Sequence, residues 1–276
     1  MDLRTMPLVG DASREVKPWI EVFARVGFAA KGVLYMTISA LAAAAALGMG
    51  GKAAPDSGKA LERLFQAPFG RLLVGVIALG LIGYAAWRVI EGITNPQGKT
   101  GAKGIAYRAG SIGRGVIHLA LAGAAGSLAL WSKSGGGGGG GRIREYTGKA
   151  MQTPGGTFLL WLIAAGLFGY GVYQLYKAFK AKLSRQLQLG AVKGREAIIA
   201  ISRFGIAARG IVFGTVAVLL ARAARDHNAQ EAGGMGNAMS TLSSELGKWP
   251  YLAIALGLGA YGIYELINAK YRRITV

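Results

Sequence analysis

The sequence predicts an all-helical, polytopic membrane protein: six transmembrane helices built as three parallel two-helix repeats with pseudo-three-fold symmetry. Three observations predict it. Of 276 residues, 52% are hydrophobic and only 16% charged, whereas a soluble domain carries about 25% charged residues. Six apolar stretches approach the ~20 residues needed to cross a ~30 Å hydrocarbon core, and Gly32 to Gly51 and Leu72 to Trp87 contain no charge at all. Two short motifs also recur three times in the same order.

The first motif opens the first helix of each unit. It reads Arg25-Val26-Gly27-Phe28-Ala29-Ala30-Lys31-Gly32-Val33, then Arg108-Ala109-Gly110-Ser111-Ile112-Gly113-Arg114-Gly115-Val116, then Arg203-Phe204-Gly205-Ile206-Ala207-Ala208-Arg209-Gly210-Ile211. The second lies in the paired helix, as Gly80-Leu81-Ile82-Gly83-Tyr84, Gly166-Leu167-Phe168-Gly169-Tyr170 and Gly257-Leu258-Gly259-Ala260-Tyr261. The motif glycine and this tyrosine are separated by nearly the same length in each unit, about 60 residues. Two crossings per unit bring every unit in from the same side, so the repeats are parallel, with their axis along the membrane normal.

In order, residues 1–20 read as a polar tail with no cleavable signal. Repeat 1 covers 21–95, with helices over 22–48 and 72–93 and a short amphipathic turn from Ala60 to Phe65 between them. Asn95-Pro96-Gln97-Gly98 stops it. Repeat 2 covers 104–180, with helices over 106–131 and 157–180. Its loop holds seven consecutive glycines, Gly135 to Gly141, which read as a flexible linker. A basic connector that includes Lys182, Arg185 and Lys193 leads to repeat 3 over 197–271, with helices over 197–224 and 249–270.

The formal net charge is +19. The basic residues sit mostly at the ends of apolar segments, where positive-inside flanks belong, so the composition argues for membrane lipids and anionic headgroups as partners and against nucleic acid. The side holding both termini and the connectors between repeats carries the larger share of Lys and Arg. This places both termini in the cytoplasm of a cell whose plasma (inner) membrane holds the protein. With no cysteine, disulfides and thiol catalysis are excluded.

These motifs resemble those of a bacterial membrane family called domain of unknown function 1206. The resemblance spans roughly residues 20–272. It implies the fold and the membrane location, and it implies no activity.

The candidate site residues are the motif cations Arg25, Lys31, Arg108, Arg114, Arg203 and Arg209. Arg25 and Lys31 lie about 9 Å apart along a helix axis, so Lys31, Arg114 and Arg209 sit deeper, within one leaflet. Snorkelling to headgroups is the plain reading of them. A quasi-symmetric ring for anions or lipid headgroups is the functional one. Glu91 and Glu265 on the paired helices are candidate ion-pair partners, Glu91 for Lys31 or Arg25 and Glu265 for Arg209 or Arg203. The second unit lacks an acid there. Tyr84, Trp87, Tyr170, Tyr173, Tyr261 and Tyr264 form a repeated aromatic face, read as anchors or packing. His118 and His227 have no partners at metal-ligand spacing, so no metal or cofactor is expected. Gly257-x-Gly259-x-x-Gly262 matches a dinucleotide fingerprint but lies inside an apolar helix without the strand it requires. The expected function is structural or anionic-lipid-interacting. A small transporter or channel with a cationic ring is the alternative, and a membrane-embedded enzyme is disfavoured.

Overall fold

A computed structural model describes residues 18–49, 56–132, 140–180 and 194–272. The polar tail before Pro18, Gly135 to Gly139 and the basic connector 181–193 lie outside the described residues. Among the described residues nine α-helices follow in chain order: α1 (Pro18–Ala46), α2 (Ser57–Phe65), α3 (Gly70–Thr94), α4 (Gly101–Trp131), α5 (Gly140–Met151), α6 (Gly156–Lys180), α7 (Arg195–Asp226), α8 (Met235–Leu246) and α9 (Lys248–Tyr271). Six of them, α1, α3, α4, α6, α7 and α9, are long and apolar enough to cross a membrane. The chain is a multi-pass membrane protein.

Each repeat is therefore a long helix, a short helix and a second long helix. The short ones cap the far side of the bundle, opposite the near side where α1 begins and α9 ends. The turn read at Ala60 to Phe65 is α2. Asp56 accepts from the Lys59 N–H at 2.9 Å to start it, and Ala60 and Leu61 are its buried residues. Both α5 and α8 replace stretches read as loop. Gly140 and Gly141, at the end of the glycine run, form the first turn of α5. The long helices end as their sequences suggest. Asn95 after α3 and His227 after α7 take left-handed backbone at φ 47° and 49°, with their N–H groups closing on Glu91 and Ala223 carbonyls. His227 is thus a helix stop.

The packing order around the bundle is α4, α3, α1, α9, α7, α6. The second helix of each repeat packs on the first helix of the next: α3 on α4, α6 on α7 and α9 on α1. Within a repeat, α1 packs on α3 and α7 on α9. In the second repeat, α4 and α6 do not pack together among the described residues. The ring is open at that seam.

The glycines show why. In repeat 1 a Cβ on Gly27 would collide with Tyr84 and the Gly80 carbonyl, and one on Gly83 would lie 2.5 Å from Phe23 Cβ. In repeat 3 a Cβ on Gly205 would collide with the Tyr261 backbone. Such approach is what small residues permit between helices in lipid. The repeat 2 counterparts Gly110, Gly166 and Gly169 have nothing within 4 Å. The partners that fill this interface in repeat 1, Phe23 and Val26, correspond to Ala106 and Ala109, which are too short to bridge it.

Candidate functional site

The near-side half of the bundle holds a layer of charged and phenolic side chains. Of the deeper motif cations, Lys31 is 4% exposed and Arg209 6%. They do not snorkel, because both point into the bundle. Lys31 Nζ donates to Glu265 Oε1 at 2.8 Å and to the Tyr84 hydroxyl at 3.3 Å. It also stands 4.3 Å from the centre of the Tyr84 ring. Arg88 Nε donates to the same hydroxyl at 2.9 Å, and its Nη1 to Glu91 Oε2 at 2.6 Å. Ser111 Oγ donates to Glu91 Oε2 at 3.4 Å and accepts from Arg114 Nη2 at 3.2 Å. His118, packed against Tyr84, donates from Nδ1 to the Arg114 carbonyl at 2.7 Å.

On the other arm, the Tyr261 hydroxyl donates to Glu265. Tyr261 packs edge-on against Tyr35, with ring centres 4.7 Å apart. Arg209 donates from Nε to the Tyr35 hydroxyl at 3.0 Å and from Nη1 to the Tyr170 hydroxyl at 2.8 Å. Its guanidinium also lies over Phe213 and Tyr261. One chain of contacts therefore runs from Arg114 on α4 through α3, α1, α9 and α7 to Tyr170 on α6. It begins and ends on the two helices that flank the open seam.

The acids do not pair as their sequence positions suggest. Glu91 holds Arg88, one turn away on its own helix, rather than Lys31 or Arg25. Glu265 holds Lys31 of the first repeat rather than Arg209 or Arg203. The reason is topological: α9 packs on α1, so its polar face meets the next repeat. Arg88 itself is a member of the layer that the motif comparison does not single out. The signal for it was its place four residues after Tyr84 and three before Glu91.

The outer motif cations do something else. Arg25 donates from Nη1 to the carbonyls of Ala269 and Lys270 at 2.7 and 2.8 Å, and pairs with Glu21. Arg108 donates to the carbonyls of Gly92 and Ile93 at 3.0 and 3.2 Å. Each satisfies the orphan carbonyls at the C-terminal end of the preceding repeat's helix, where a cation also meets the negative end of the dipole. Arg203 is exposed. Of the aromatic face, Tyr84, Trp87, Tyr261 and Tyr264 are buried, Tyr170 is half-buried and Tyr173 is exposed. The two unburied members both belong to the open repeat.

Charge in the layer does not balance. It contains the cations Lys31, Arg88, Arg114 and Arg209 and the carboxylates Glu91 and Glu265. Among the described residues no carboxylate reaches Arg114 or Arg209. Arg114 Nε is shielded from solvent and has no hydrogen-bond partner among the described residues. Beyond the layer, toward the far side, Leu34, Ile38, Val74, Leu81, Ala125 and Leu258 close into an apolar core.

Comparison with known proteins agrees with this architecture. The profile of the family described as Domain of Unknown Function (DUF1206) matches three tandem segments, 26–95, 109–181 and 204–272. The chain is similar to the "Uncharacterized protein YxxB" of Bacillus subtilis (strain 168), with 29% identity over 266 residues, covering 95% of this chain and 94% of that protein. No solved structure matches significantly. The segments cover most of the chain, one per repeat, and the protein belongs to the DUF1206 family.

Proposed function

We propose that this protein binds the headgroups of anionic phospholipids in its near-side charge layer, as a non-catalytic component of the plasma membrane. One observation carries the reading: Arg209 is buried and Arg114 half-buried, and among the described residues neither has a carboxylate to neutralise it. A buried charge in low dielectric costs several kcal/mol unless it is paired, and cations within a membrane face a partner or a functional pathway. Phenol hydroxyls solvate Arg209 but do not cancel its charge. A phosphodiester supplies both the negative charge and the acceptor oxygens that a guanidinium fork matches.

The apolar core beyond the layer argues against a conducting path and favours binding over transport. Both carboxylates of the layer are held by cations, which leaves neither free to act as a general base. Neither metal nor cofactor enters this reading, and nucleic acid is not among the partners we propose. The basic bias of the near side supports a cytoplasmic location for both termini. A C-terminal reporter that is active only outside the cytoplasm should stay silent, and signal from it would reverse the assignment.

Native mass spectrometry in mixed lipid tests the binding itself. The Arg114→Gln/Arg209→Gln variant should lose retained anionic lipid by about a hundredfold or more, the scale of two charge-assisted contacts of ~1.5 kcal/mol or better each. Changing the exposed Lys103 and Lys180 to Gln should lower it less, because each surface cation contributes at most about 1 kcal/mol of attraction. Equal loss in the two variants would refute a convergent site.

A further inference from the structure

We propose that the seam between α4 and α6 is a closable lateral portal, through which an anionic phospholipid enters from the bilayer to reach Arg114 and Arg209. The proposal rests on the headgroup reading above and adds the route and its gate.

The three repeats share the residues of a glycine clasp, yet only two clasps are shut. Gly27, Gly80 and Gly83 in repeat 1, and Gly205 and Gly257 in repeat 3, are buried against the partner helix. Gly110, Gly166 and Gly169 are exposed. The deeper cation follows the same division. Lys31 lies over Tyr84 and Arg209 over Tyr261, each the tyrosine of its own repeat. Arg114 makes no such contact with Tyr170, which is taken instead by Arg209. The polar chain is thus interrupted at one place, between Arg114 and Tyr170, and that place is the mouth of the seam.

Charge identifies the occupant. Arg209 holds the Tyr170 hydroxyl at 2.8 Å, and among the described residues neither Arg114 nor Arg209 has a carboxylate and the buried Arg114 Nε has no partner. A phosphodiester between them completes the polar chain. The seam opens sideways along the exposed Gly110, Gly166 and Gly169, so the anion that fits is one attached to acyl chains. Shut, the seam would set Gly110 and Gly166 against the opposite helix and Arg114 over Tyr170, as in the other two repeats, and would exclude the lipid.

The chain has no cysteine, so a cross-link tests this cleanly. Ala109 and Gly166 occupy the positions of Val26 and Gly80, where a Cβ on Gly80 would lie 3.0 Å from Val26. With the seam open a Cβ on Gly166 would meet nothing within 4 Å across it, and a disulfide cannot form without movement. The variant A109C/G166C is oxidised in nanodiscs of purely zwitterionic lipid and of lipid containing phosphatidylglycerol. We expect an intramolecular disulfide in the first and at least tenfold slower cross-linking in the second. The cross-linked protein should fail to retain phosphatidylglycerol, and reductant should restore it. The reduced variant should retain it like the parent, which also shows that it folds. No cross-link in either lipid would overturn the gate. A cross-linked protein that retains phosphatidylglycerol would overturn the portal. A disulfide-linked dimer would overturn both and make the seam an interface between two copies. If the parent never retains phosphatidylglycerol while the A109C/G166C variant cross-links equally in both lipids, the headgroup reading fails separately and the portal falls with it.

Discussion

Glu265→Gln is expected to destabilise the protein by about 3–5 kcal/mol, the cost of leaving one member of a buried ion pair uncompensated. For a chain of this size that lowers the midpoint of thermal unfolding in detergent by roughly 6–20 °C. The substitution is nearly isosteric and leaves an amide oxygen to accept from Tyr261, so packing changes little. What changes is that Lys31, 4% exposed, loses the Glu265 carboxylate at 2.8 Å in a layer already carrying Arg88, Arg114 and Arg209. The double change Lys31→Met/Glu265→Gln should recover most of the loss, because removing both charges also removes the desolvation penalty. A single variant that melts with the parent, or a double variant no better than the single, would show that this pair is not buried as described.

The second large effect is a contrast between equivalent glycines. Gly27→Ala places a methyl group onto Tyr84 and the Gly80 carbonyl, and Gly205→Ala onto the Tyr261 backbone. Backbone cannot swing aside as a flexible side chain does, so helices must separate. Overpacking of this kind costs about 1–3 kcal/mol and at times more. Gly110→Ala meets nothing within 4 Å. It gains the helix preference of Ala over Gly, about 1 kcal/mol. Three substitutions at one motif position should therefore split two against one, by about 2–4 kcal/mol. Thermal unfolding of the three variants measures it. If Gly110→Ala is as damaging as the others, the seam is shut in the resting protein.

Much of this fold is legible in the sequence, because the bilayer permits little else. Apolar length fixes the six long helices to within a few residues, and the repeated glycines mark where they touch. The short helices α5 and α8 are harder to see. α5 begins inside a glycine run, and α8 has only a short apolar stripe, Met235, Ala238, Met239 and Leu242, diluted by Gly, Asn, Ser and Thr around it. The deeper cations were recognisable from their repeat positions. Their partners were not, because Lys31 meets Glu265 from the far end of the chain. The open seam was also hidden. Repeat 2 keeps Gly110, Gly166 and Gly169, so the motif alone implies three closed pairs. The difference lies in what faces those glycines: Ala106 and Ala109 stand where Phe23 and Val26 fill the interface in repeat 1. The same repeat has Gln174 and Lys177 in place of Arg88 and Glu91, which leaves Arg114 without an acid from its own paired helix.

The central claim is that the charge layer is completed by a lipid phosphate. An experimental density map of the protein in nanodiscs containing phosphatidylglycerol tests it most directly. The account predicts a phosphate within hydrogen-bond distance of both Arg114 and Arg209, with acyl chains leaving between α4 and α6. A map in which α4 and α6 are closed, or in which a carboxylate of the chain's own first 17 residues neutralises Arg114, would contradict it.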